Sequence, residues 1–400
     1  MLHIDEPNQN HQADYWHQHP VLELAFRPFF LLATLSSALS VAVWLLLLNG
    51  HMLIGHQGLS PHVWHAHEML VGFAATVAVG FVLTAVQTWT GQASIKGKGL
   101  VGLIALWCLA RLGFYINDAN SVIFAIVMQG LWWLSVIAVY SKLVFVAKNK
   151  RNYIFIVLLG VMTAVDMAML LFDFTGNSGL ALHLSRSMVL LFTIMMALVG
   201  GRVIPFFTVR GANTQAINTP AWINRVIGPF AITTVAIFIS SYFYDTAALS
   251  AILLIVLGAL HIVRLSYWRS INTTNVPLLW SLHLSYGLMG LGLILLGSSQ
   301  FLVAVTFSNA LHLITIGAIG LMIFSMMSRV SLGHTGRTLK IKPVIVIAFI
   351  LLTLATLVRT LMPILYNPLS AWNISGILWI VACLFFLVVY FPILISKRAS

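Results

Sequence analysis

The sequence predicts an all-α membrane protein, a bundle of about twelve transmembrane helices, and three observations carry that prediction. Of the 400 residues, 60% are hydrophobic and only 8% charged, against roughly a quarter charged in a soluble domain. Such a chain cannot cover a water-facing surface, so lipid must be its solvent. Second, apolar stretches of the length that crosses a hydrocarbon core recur along the whole chain. Third, the net charge of +12 is distributed by side and not by domain.

The stretches fall at 29–48, 65–86, 99–116, 121–145, 153–172, 180–200, 226–244, 246–267, 277–297, 303–325, 343–362 and 373–395. With the N-terminus inside, one set of connections holds every basic residue except Arg111, Arg186 and Arg359. The opposite connections, such as 49–63 and 363–372, hold none. This asymmetry obeys the positive-inside rule and predicts both termini in the cytoplasm. It also accounts for the basic excess with no nucleic acid partner. Residues 1–25 read as a polar tail with His3, His11, His17 and His19, and 26–396 as one transmembrane domain. Cys108 and Cys383 both lie in spans and form no zinc-like set.

A weak internal repeat links the second, sixth and tenth spans. Each carries a histidine in its outer half and ends in a threonine- and glycine-bearing turn: Thr84–Gly91, Arg202–Gly211 and Arg329–Arg337. Three four-helix arcs would follow from it.

Ionisable groups inside spans are the candidates for chemistry, because each costs about 2.5–3.5 kcal/mol at a helix centre on insertion scales. In the second span, His65 and Glu68 share a face at i, i+3, while His67 points away. A carboxylate beside an imidazole can orient a metal-ligating ring. The sixth span places His183 and Arg186 on one face, which suits imidazole on iron and guanidinium on a propionate, or a polar helix contact. In the tenth, Ser308, Asn309, His312 and Thr315 form a polar stripe that must face protein, water or a cofactor. Arg111 and Arg359 complete an outer group able to hold an anionic cofactor, and Asp166 is expected to pair with one of the arginines. His261, His283 and His334 form a second group nearer the cytoplasm, with His334 in the loop after the tenth span. His283 shares a face with Gly287 and Gly290, which suits either a flat ligand or tight helix packing. No nucleotide loop or nucleophile elbow occurs.

Several of these motifs resemble the NnrS family. They are Trp64-His65-Ala66-His67-Glu68-Met69-Leu70-Val71-Gly72-Phe73, Gly80–Ala85 with Trp89-Thr90-Gly91, Phe26-Arg27-Pro28-Phe29-Phe30, Gly200–Thr208, and His312 leading to Met327–Arg337. The resemblance implies a bacterial inner-membrane protein containing haem and copper, linked to nitric oxide metabolism and nitrosative stress. The outline is also similar to the large subunit of haem–copper oxidases. It departs from that pattern in lacking a His-x-His pair in the tenth span and a His-His pair in the seventh.

Two readings follow. The first is a haem protein, with copper, that binds or handles nitric oxide or its iron-bound products and draws on a membrane electron donor. In it His65 or His67, His183 and His312 ligate metal, and Arg111, Arg186 and Arg359 hold propionates. The second is a proton-coupled secondary transporter of a metal, haem or small anion, with Glu68, Asp166 and the histidines as coupling groups.

Overall fold

A computed structural model describes residues 19–52 and 58–399. The tail histidines His3, His11 and His17 lie outside the described residues. Among those residues there is no β-strand. Twelve helices are long and apolar enough to cross a membrane: α1 (Phe26–Leu48), α2 (Pro61–Thr90), α3 (Gly97–Ile116), α4 (Ala119–Val146), α5 (Lys150–Phe174), α6 (Ser178–Gly211), α7 (Ala221–Ser240), α8 (Ala247–Ser266), α9 (Pro277–Ser298), α10 (Phe307–His334), α11 (Pro343–Leu365) and α12 (Pro368–Leu394). In lipid every backbone polar group needs an internal partner, and helices supply one. The molecule is a multi-pass membrane protein.

Two helices continue into the turns expected at their ends. α6 continues to Gly211 and α10 to His334, so two of the expected turns are helical and His334 ends a helix. The reason is local. Thr84, Thr208 and Thr335 each donate a hydroxyl to the carbonyl four residues back, at 2.6–2.8 Å. That satisfies the hydroxyls without unwinding the chain. α2 does stop at the expected glycine: Gly91 adopts φ +67° and donates to Gln87 O, a left-handed cap that glycine takes at no steric cost.

The chain divides into two compact units, the division falling inside α6, α10 and α12. Unit 1 holds α1 to α5, the start of α6 up to Ser185, Arg329–Lys340, and the chain from Phe386 on. Its Phe26-Arg27-Pro28-Phe29-Phe30 motif is a packing device. A Cβ on Gly80 of α2 would lie 3.1 Å from Phe29 Cβ, and Thr84 Oγ1 accepts from Phe26 N at 3.1 Å, capping α1. Arg27 pairs with Glu23 at 3.0 Å and donates to the carbonyls of Leu394 and Ser396. Arg337 donates to Ser396 Oγ at 2.9 Å, and the His334 ring lies 5.7 Å from that of Phe26. The segment entering α1 is packed too, with Leu22, Leu24 and Ala25 buried.

The start of α2 is held from two sides. Asn117, at φ +55°, exchanges hydrogen bonds with the backbone of Leu59, and Asp173 accepts from Ser60 N and Oγ. Trp64 then donates to Phe114 O at 2.9 Å and sits in a buried cluster with Leu59, Phe114 and Leu170.

Unit 2 holds Arg186–Ser328 and Ile341–Phe385. Small residues set its packing. A Cβ on Gly258 of α8 would lie 2.5 Å from Gly290 O of α9, so Gly290 marks tight helix packing and not room for a flat ligand. Gly292 makes the same close approach to Ile314 of α10, at 2.5 Å.

The repeat seen in the sequence has a backbone counterpart in two of its three members. In α2 an α-helical turn ending at His67 is followed by a π-helical segment, Glu68–Ala75 (8 residues). In α10 a turn ending at His312 is followed by another, Leu313–Gly320 (8 residues). α6 is α-helical throughout. Such π-segments insert an extra residue into a helical turn and concentrate at functional sites.

Candidate functional site

Each π-segment marks a polar site inside its own unit. In unit 1, Glu68 opens the π-segment and its carboxylate meets the ring of its neighbour His67. Glu68 Oε1 lies 3.2 Å from His67 Nδ1 and 3.1 Å from Arg111 Nη1 of α3. His67 Nε2 faces Asp166 Oδ1 of α5 at 3.3 Å. Asp166 Oδ2 in turn accepts from Trp133 Nε1 of α4 at 2.8 Å. Arg111 donates through Nη2 to Gln129 Oε1, and its guanidinium lies over the rings of Trp107 and Phe114 at 5.7 and 5.2 Å. His67, Glu68 and Asp166 are fully buried and Arg111 is 4% exposed. Gly72 makes the Arg111 approach possible, since a Cβ there would lie 2.6 Å from Nη1.

Four ionisable groups thus neutralise one another in the hydrophobic interior. His67 is hydrogen-bonded to Glu68 through Nδ1, while its Nε2 faces Asp166 Oδ1 at 3.3 Å without forming a hydrogen bond. Buried charges persist only when paired and hydrogen-bonded, and removing one partner of such a pair costs about 3–5 kcal/mol. Several polar atoms remain without a hydrogen-bond partner among the described residues, including Glu68 Oε2, Arg111 Nε and Gln129 Nε2.

This geometry revises three expectations. Glu68 joins His67 and not His65, whose ring stacks on Trp44 of α1 at 4.4 Å and 13°. Asp166 pairs with His67 and Trp133, not with an arginine. Arg111, expected to hold a propionate, already has the Glu68 carboxylate. The two carboxylates also flank His67 at opposite nitrogens and so do not converge on one point. Among the described residues no three His, Cys, Asp or Glu side chains are placed to hold a metal ion.

In unit 2, Thr306 caps the start of α10 by accepting from Asn309 N. Arg359 of α11 donates to Asn309 Oδ1 at 2.8 Å and to Ser308 Oγ at 3.0 Å, with its guanidinium 5.3 Å from the Trp372 ring. His312 Nδ1 lies 2.7 Å from Ser308 O, so Nδ1 carries the proton and Nε2 is presented as the basic nitrogen. Arg186 reaches the same turn, 4.9 Å from the Phe307 ring. His183 is buried on the part of α6 that belongs to unit 1.

The second candidate group does not form one site. His261 Nδ1 is 2.9 Å from the Tyr286 hydroxyl, which also accepts from Arg264 Nη1 at 3.2 Å. His283 has both nitrogens on hydroxyls, Thr208 at 2.7 Å and Ser270 at 2.9 Å. It borders a cavity of about 290 Å³ that opens between Trp280, Gly287 and Leu291. His334 belongs to unit 1, against Phe26. Sequence reasoning missed Gln129, Trp133 and Trp372. The first two are neutral residues mid-span, and nothing in their spacing sets them apart from other core residues.

Twelve apolar helices with charged side chains buried inside their spans define a polytopic membrane protein built around intramembrane polar sites. The chain belongs to the NnrS family, whose profile, described as NnrS protein, matches residues 20–398. Membership makes it a membrane protein linked in general to the nitric oxide response. No curated protein matches the chain.

Proposed function

We propose that the protein is a haem protein of the bacterial inner membrane that binds nitric oxide or its iron-bound products, with both termini in the cytoplasm. The observation that carries the reading is His312. Its Nδ1–H is engaged by a backbone carbonyl, the arrangement that orients a metal-ligating imidazole and raises its basicity at Nε2. His312 would hold the iron, and a haem iron with an exchangeable axial position supplies nitric oxide binding. Arg186 and Arg359 would meet the propionates, being without a carboxylate partner among the described residues. His65 and His67 do not fit as ligands where they stand, one stacked on Trp44 and the other held between two carboxylates. Copper, and a membrane electron donor, belong to the proposal with no residues assigned to them.

The test is the optical spectrum and metal content of the purified protein. A Soret band that shifts with nitric oxide, survives His65→Ala and disappears in His312→Ala is expected. Stoichiometric purification without haem or copper, from cells supplied with both, would sink the reading.

A second reading is favoured by the network in unit 1. A buried His67–Glu68–Arg111–Asp166 group is the kind of constellation that carries protons in transporters. It becomes the reading to pursue if the purified protein lacks haem and its vesicles take up protons together with a metal or small anion.

A further inference from the structure

The two π-segments carry the same device, a preceding histidine, a glycine at the fifth position and an arginine from the next helix, and differ at its first residue. In unit 1, His67 precedes a π-segment whose first residue is Glu68 and whose fifth is Gly72. The next helix, α3, sends Arg111 back to Glu68. In unit 2, His312 precedes a π-segment of equal length whose first residue is Leu313 and whose fifth is Gly317. The next helix, α11, sends Arg359 back to the turn that precedes it. Both glycines admit that next helix. A Cβ would lie 2.6 Å from Arg111 Nη1 at Gly72, and 2.6 Å from Thr356 Cγ2 at Gly317. Both arginines lie against aromatic rings.

The difference is the carboxylate. Where unit 1 places Glu68, unit 2 places leucine. Arg359 is 8% exposed, and its two amino groups donate to neutral oxygens, an amide and a hydroxyl. Unit 2 contains one side-chain carboxylate, Asp245, between α7 and α8, and none of the ion pairs among the described residues joins it to Arg359 or Arg186. The Trp372 ring against Arg359 has its Nε1–H buried with no acceptor. A buried guanidinium without a counter-ion among the described residues, and a buried donor without an acceptor among them, are both costly. One anion would relieve both.

We propose that Arg359 anchors a site for a planar oxyanion or carboxylate that comes from outside the chain and takes the part Glu68 plays in unit 1. The guanidinium fork matches such a group bidentately, and the neutral Asn309 and Ser308 oxygens are weaker partners that it displaces. The inference deepens the haem reading without depending on it, because the anion can be a haem propionate or a free oxyanion.

The experiment follows thermal unfolding of the full-length protein in lipid nanodiscs, as purified and after haem removal. Nitrite and formate are titrated against chloride at equal ionic strength. A saturable rise of the midpoint with nitrite and formate is expected. Arg359→Gln weakens the apparent Kd at least tenfold, and Arg359→Lys, which lacks the fork, recovers only part of it. Leu313→Glu supplies the carboxylate within the chain and abolishes the response in a protein that still folds. A response in both haem states identifies a free-oxyanion site. A response confined to haem-free protein, with haem content lowered by Arg359→Gln, identifies a propionate site. No saturable response in either state, or equal responses in wild type and Arg359→Gln, overturns the proposal. The haem reading fails separately, on the spectrum.

Discussion

The two polar sites differ in where their counter-charge comes from. In unit 1 the chain brings its own: Glu68 and Asp166 meet Arg111 and His67 in a group sealed from solvent. In unit 2 the same backbone device presents Arg359 to neutral oxygens alone. An arginine already matched by a carboxylate of its own chain is not left over for an anionic ligand. An arginine with no carboxylate weakens its surroundings until something anionic arrives. The contrast teaches that a π-segment with a histidine before it makes a place for chemistry. The residue at its first position then decides whether that place is closed or open.

The largest expected effect breaks the closed site. Arg111→Gln leaves Glu68 buried and uncompensated, at a cost of about 3–5 kcal/mol. Arg359→Gln loses hydrogen bonds to neutral groups but also removes a buried charge that has no carboxylate, so its net cost should stay below about 1 kcal/mol. Thermal unfolding of the two variants side by side measures the difference, and equal losses would erase the distinction between the sites. Pairing Arg111→Gln with Glu68→Gln sharpens it. The double variant should recover about 0.5–3 kcal/mol relative to the sum of the singles, read from the same unfolding curves.

Smaller effects test the backbone device. Gly72→Ala and Gly317→Ala each push a methyl against the next helix, and overpacking of this kind costs about 1–3 kcal/mol. A loss at Gly72 with none at Gly317 would mean that the two segments are alike only in outline. The smallest effect separates the two neighbouring histidines. His65→Ala removes one ring stacked on Trp44, worth about 0.5–1.5 kcal/mol beyond its burial. His67→Ala leaves both Glu68 and Asp166 short of a partner and should cost several times more, in the same melts.

Much of the fold was legible without coordinates. Lipid as solvent forces helices, and a run of apolar residues about 20 long is visible one residue at a time. The candidate residues were legible by the same logic, because an ionisable side chain in such a run is conspicuous: His67, Glu68, Arg111, Asp166, His312 and Arg359 all stand out. Their partners did not. Helical spacing assigned Glu68 to His65, and it assumed 3.6 residues per turn. The turn from His65 to Glu68 is α-helical as assumed, but a shared face does not fix where a long side chain turns. The carboxylate goes to the neighbouring His67 and to Arg111 of another helix, which spacing along one helix does not contain. The polar helix ends at Thr208 and Thr335 read as turns for a related reason, since hydroxyls that bond back to their own helix look identical in sequence to hydroxyls that end it.

What the sequence determined by itself is therefore the class: a chain with this composition and these repeated apolar runs can only be a multi-helix membrane protein, because hydrophobic length and charge asymmetry are properties of segments. What only the tertiary structure decided is the pairing of charges. Arg111 and Arg359 look alike along the chain, each alone in an apolar helix. One meets a glutamate and the other does not, because folding sets Arg111 against Glu68 and Arg359 beside a segment that opens on Leu313, a juxtaposition of separate helices that no single segment contains.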